Sequence, residues 1–128
     1  MNEFVWPDFQ ALMDDFAEYF EEIEQVLQVR SMDDLQAGSD RARTALDNMP
    51  ETDAAMVAAL IFDGVVTRHA LVDGNKRLAW QSMTTFLDLN DIWFDAPERE
   101  AFDAAIATVT GEMKPEGLAA FIRKYTAR

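Results

Sequence analysis

From Ala54 to Val66 the chain is apolar on nearly every side, broken only by Asp63 and Gly64. At helical spacing such a segment has no face fit for water, so it must lie at the centre of other elements. The remaining segments then have to be amphipathic and wrap around it. No segment shows sustained two-residue alternation, the mark of a half-buried strand. These features predict an all-α fold, a bundle of about six helices.

The partners can be read in order. Phe9, Leu12, Met13, Phe16, Phe20, Ile23, Val26 and Leu27 recur at gaps of three and four. They predict a first helix from about Pro7 to Gln28, with Pro7 and Asp8 suited to its first turn. Ser31 and Asp34 have the spacing of an N-terminal cap. The short helix behind them is expected to bend or break at Gly38 and to end near Asp47, before Pro50. Thr52 is the expected cap of the central helix, which should run to about His69. A helix resumes from about Asn75 to Asn90, and Ile92-Trp93-Phe94 reads as a short extended piece. Asp95 or Ala96-Pro97 opens a helix that Gly111 can end, and Pro115 opens the last.

The 128 residues predict a single domain, 1–128, able to bury about two-thirds of its unfolded surface. There is no cysteine, which excludes a disulfide framework and a thiol nucleophile. The single histidine excludes every two-histidine metal motif. No uncharged apolar run approaches the length of a membrane span, and no basic-then-apolar leader opens the sequence. A cytoplasmic protein without membrane contact is expected. The net charge of −13 makes direct nucleic-acid binding a poor reading, because that rests on neutralising phosphates. The charge is uneven: residues 1–64 hold 15 acids and 3 bases, residues 65–128 hold 9 acids and 8 bases. The acidic half is either a solvated face or a docking surface for a basic partner. The carboxylates at Asp14-Asp15 and Glu21-Glu22-Glu24 lack the spacing of a calcium loop, and no Walker loop is present.

Reactive groups converge only between His69 and Arg77. His69 falls at the end of the central helix, Asp73 follows, and Gly74 allows close approach or a positive φ. Asn75, Lys76 and Arg77 then open a helix whose first turn exposes N–H groups and a partial positive charge. Cations in a first turn oppose the helix dipole, a local cost that an anion would offset. Phosphate is the obvious anion. Asp73 could hold a divalent cation beside it, and His69 could take a proton from an attacking hydroxyl. The set suits phosphoryl or nucleotidyl transfer. Taken singly, each residue also has an ordinary structural use, as a turn, a helix end or an ion pair.

The run HALVDGNKRLAW resembles the central motif of the Fic/Doc family, with His69, Asp73, Gly74, Asn75, Lys76 and Arg77 in matching places. DGNKR looks like the Doc (death-on-curing) toxin branch, and Phe86-Leu87-Asp88-Leu89-Asn90 resembles that branch's continuation. The resemblance is strongest over 54–128. It implies His69 as general base, Asp73 as the Mg2+ ligand, and Gly74, Asn75, Lys76 and Arg77 as the phosphate cradle. It implies transfer of the γ-phosphate of ATP to a threonine of elongation factor Tu, which blocks translation. Fic enzymes, which carry Gly where this chain has Lys76, transfer AMP instead. That reaction and a non-catalytic helical binding module are the alternatives.

Two positions depart from the pattern. Leu71 stands where the family usually has Phe, and leucine fills much of that volume. Trp80 stands where Fic members have a second Arg. It could stack on an adenine or pack in the core. The inhibitory Ser/Thr-to-Glu-Gly signature of many Fic proteins is missing, since Glu112 lies four residues before Glu116-Gly117. The resemblance then implies a separate antitoxin protein.

Overall fold

The computed structural model describes residues 3–127. The central helix, α3 (Ala54–Thr67), is buried on almost all sides, with Val57, Ala58, Ala59 and Phe62 fully enclosed. Burying a Val, Leu, Ile or Phe side chain contributes about 1.5–3 kcal/mol, so α3 is the main apolar source of the fold. It packs against α2 (Met32–Asn48), α4 (Asn75–Leu89) and α6 (Pro115–Lys124), and more lightly against α5 (Glu98–Val109). With α1 (Phe9–Glu22), the described residues form an all-α bundle of six helices. The only sheet among them is a two-residue antiparallel pair, β1 (Trp93–Phe94) with β2 (Thr126–Ala127). It places Trp93 opposite Ala127, so the extended piece expected at 92–94 closes against the chain's end. No helix among the described residues is long and apolar enough to cross a membrane.

Four expectations about helix ends are corrected. Asp8, not Pro7, marks the start of α1: its carboxylate accepts from Ala11 N–H at 2.9 Å as the N-cap. The same helix stops at Glu22 rather than Gln28. Glu24 takes a φ of 59°, and the chain beyond pairs with the turn after α3: Val72 N–H donates to Gln28 O at 3.0 Å. Asp53, not Thr52, caps α3, accepting from Met56 N–H at 3.1 Å. Both residue types suit that role, and only the backbone position decides.

The fourth correction concerns Gly38. The expected break is absent, and α2 runs straight through it. The reason lies on another helix. A Cβ on Gly38 would stand 2.4 Å from the carbonyl oxygen of Gly64, and a Cβ on Gly64 would stand 2.4 Å from the oxygen of Gly38. The two glycines let α2 and α3 cross backbone to backbone. An Arg41–Asp63 ion pair sits at the same crossing. Ser31, Gly111 and Pro115 act as the sequence implies, as N-cap of α2, left-handed residue after α5 and first residue of α6.

Candidate active site

The turn between α3 and α4 is short and tightly held. The central helix ends at Thr67, two residues before the expected His69. His69 itself is left-handed, with φ 48°, and exposed. That twist carries the chain inward, so Ala70 and Leu71 are buried. Arg30 N–H donates to Ala70 O at 2.6 Å, and Val29 forms a single bridge with Leu71. Leu71 has no exposed surface, so it fills the place where the motif usually has phenylalanine.

Asn75 braces this loop. Its Oδ1 accepts from Leu71 N–H at 2.9 Å, and its Nδ2 donates to Leu71 O at 3.0 Å. The sequence reading places Asn75 in the anion cradle. Its side chain is held by the loop backbone, and the residue lines the cleft at the helix start. Asp73 Oδ1 accepts from Gly74 N–H at 2.9 Å, which fixes the carboxylate at the mouth of the turn. Gly74 is the N-cap of α4 with φ 93°, a left-handed geometry that strains any residue with a Cβ. A Cβ there would also stand 3.1 Å from the ring tips of Phe16 and Phe20 on α1. Backbone conformation and close packing thus both favour glycine at this position.

No side chain caps the first turn of α4. Its N–H groups and the positive end of the helix face an open cleft of about 450 Å³. His69, Asp73, Gly74, Asn75, Lys76 and Arg77 all line it, with Tyr19 from α1 and Val109 from α5. The structure therefore gathers all six sequence-read residues around one space. Neither Lys76 nor Arg77 is in an ion pair with a described residue. Each rests on an aromatic face: Lys76 Nζ lies 5.2 Å from the Phe102 centroid, and the Arg77 guanidinium lies 4.5 Å from that of Tyr19. Such contacts hold a cation in place while leaving its charge available. Tyr19, which lines the cleft, and Phe102, which carries Lys76, are neighbours of the site that the sequence does not single out. Both come from distant helices, and neither belongs to a local motif.

Trp80 packs against the core and keeps part of its surface outward. Its ring meets Phe62 edge to face at 6.0 Å and Phe94 at 6.0 Å. Its other side lines a second groove, between α4 and α5. Among the described residues no three ligating side chains gather as a metal cage. Chemically, the cleft joins an imidazole, a fixed carboxylate, a helix N-terminus and two unpaired cations.

The all-α bundle thus sets an imidazole and a carboxylate beside an uncapped helix N-terminus in the turn between its central helix and the next. Over 55 residues the chain is 40% identical to Toxin Doc from Mycolicibacterium smegmatis. The likeness takes in 40% of this chain and 42% of that protein, so the chain spans about two-fifths of the length of the curated relative it matches. No protein-family model matches the chain. The likeness is thus to a Doc toxin, over part of the chain.

Proposed function

We propose that this protein is a Doc-like toxin that transfers the γ-phosphate of ATP to a Ser or Thr hydroxyl of a protein target. The observation that carries the reading is the single cleft shared by His69, Asp73 and the uncapped α4 N-terminus with Lys76 and Arg77. The partial likeness to Toxin Doc supports the toxin class and makes elongation factor Tu the first target to test. On the same likeness, a separate antitoxin protein holds the toxin in check, and the site of action is the cytoplasm.

In this reading the triphosphate lies over the first turn of α4, where N–H groups, Lys76 and Arg77 offset its charge. Mg2+ commonly binds through one or two carboxylates plus substrate phosphates and keeps several waters. A lone, fixed Asp73 fits a cation that arrives with ATP, and the cation supplies further neutralisation of the phosphates. His69 takes the proton of the target hydroxyl. The oxygen forms a bond to the γ-phosphorus as the bond to the β-bridging oxygen breaks, and ADP leaves. Asn75 holds the loop so that His69 and Asp73 keep their places. The test is transfer to purified elongation factor Tu from γ-labelled and α-labelled ATP in parallel. Label from γ alone is expected. Label from α would mean AMP transfer, and no label from either, without ATP binding, would mean a binding module.

A further inference from the structure

We infer that Tyr19 is a positioning residue whose ring holds the Arg77 guanidinium in place for a phosphate, an inference that rests on the reading of the 69–77 turn as a triphosphate site. Arg77 is exposed. An exposed arginine ordinarily samples many rotamers, and a ligand that binds it has to stop that motion. Here the side chain already has a seat. The guanidinium carbon lies 4.5 Å from the centroid of the Tyr19 ring. That is well inside the reach of about 6 Å for a cation–π contact. Both residues line the cleft of His69 and Asp73, so the contact forms part of its wall.

The ring is itself fixed. It stacks on Phe16, with centroids 6.1 Å and planes 25° apart, and meets Phe20 edge to face at 5.9 Å. Phe16 is fully buried and Phe20 nearly so. The same two rings lie against Gly74, where a Cβ would stand 3.1 Å from each. One aromatic trio on α1 therefore supports both the start of α4 and the cation three residues along it.

The choice of partner matters, because carboxylates are at hand. Residues three and four apart share a helix face, so Asp15 and Glu22 flank Tyr19 on α1. Arg77 nevertheless forms no ion pair with a described residue. A carboxylate would occupy the donors of the guanidinium, and an incoming phosphate would have to displace it. A ring steadies the cation without taking those donors. Arginine suits this double use, since its flat cation stacks on aromatic faces and carries its donors around the edge.

The experiment is calorimetric titration of the full chain with ATP and with inorganic tripolyphosphate, each with Mg2+. Wild type is compared with Tyr19→Phe, Tyr19→Leu and Tyr19→pentafluorophenylalanine, each also in an Arg77→Gln background, with folding checked by circular dichroism. The fluorinated ring keeps nearly the shape of phenylalanine and removes the negative face that attracts a cation. Tyr19→Phe should bind both compounds within twofold of wild type. Tyr19→Leu and the fluorinated variant should bind both about three- to fivefold more weakly, the share of one exposed cation–π contact. In the Arg77→Gln background all four should bind alike, because the coupled partner is gone. If Tyr19→Leu does not fold, the fluorinated variant decides alone. Undiminished affinity in the fluorinated variant would overturn the role of Tyr19 and leave the phosphate reading standing. A loss that persists in the Arg77→Gln background would overturn it too, because Tyr19 would then act through its packing and not through Arg77. A wild-type chain that binds neither compound would remove the phosphate reading and this inference with it.

Discussion

The side-chain amide of Asn75 closes on the backbone of Leu71 in both directions, at 2.9 and 3.0 Å. Two backbone groups of a buried residue are thereby satisfied by one side chain, four residues on. The loop carrying His69 and Asp73 depends on this clasp. Asn75→Ala leaves both groups without partners, and each unpaired buried group costs about 1–3 kcal/mol. The expected result is a melting temperature lower by several degrees and transfer lost at 37 °C. Asn75→Asp keeps the acceptor and loses the donor, so it should fall between the two. Thermal unfolding of the three proteins checks that order.

Gly74 and Gly111 form a natural control pair. Both have positive φ, 93° and 80°. A Cβ on Gly111 meets nothing within 4 Å, whereas one on Gly74 meets Phe16 and Phe20. Gly111→Ala should cost about 1 kcal/mol from backbone strain alone. Gly74→Ala should cost about 2 kcal/mol or more, because overpacking adds to the strain. It should also displace the α4 start and weaken phosphate binding. Denaturant titration measures the gap, and equal losses would show that α1 does not press on the turn.

The crossing of α2 and α3 tolerates no side chain. Gly38→Ala places a methyl 2.4 Å from a backbone oxygen, which cannot move as a flexible side chain could. The expected destabilisation is about 3 kcal/mol, at the upper end of overpacking costs, although alanine is the better helix former. A stability gain on this substitution, read by urea unfolding, would mean that the helices do not meet there.

The candidate site was legible because it lies in nine contiguous residues, where spacing alone brings His69 to Arg77 onto one turn. The central helix was legible because an apolar surface on every side has one solution. What remained hidden depends on distant chain. Gly38 reads as a breaker until Gly64 is seen across from it, 26 residues on. The apolar spacing of α1 continues to Val26 and Leu27, but hydrogen bonds with Ala70 and Val72 draw the segment around Gln28 and Arg30 out of the helix. The clasp of the Asn75 side chain on the Leu71 backbone is likewise invisible in the sequence, because no motif spells out a backbone partner. Tyr19 and Phe102 support the two cations from α1 and α5, and only packing brings them there. Asn90 is similar: it accepts from Val5 N–H and donates to Val5 O, both at 2.8 Å, tying the chain's start to the end of α4.

In the proposed reaction His69 takes the proton of an acceptor hydroxyl beside a phosphate held on α4. The most direct measurement is γ-label transfer from ATP to elongation factor Tu by wild type and His69→Ala at saturating ATP. His69 is exposed, and its left-handed backbone adds only a small strain to the alanine variant. The account predicts a folded variant with ATP affinity within twofold and transfer slower by about 10²–10⁴, the usual share of a general base. A folded His69→Ala that transfers phosphate within a few-fold of wild type would contradict it.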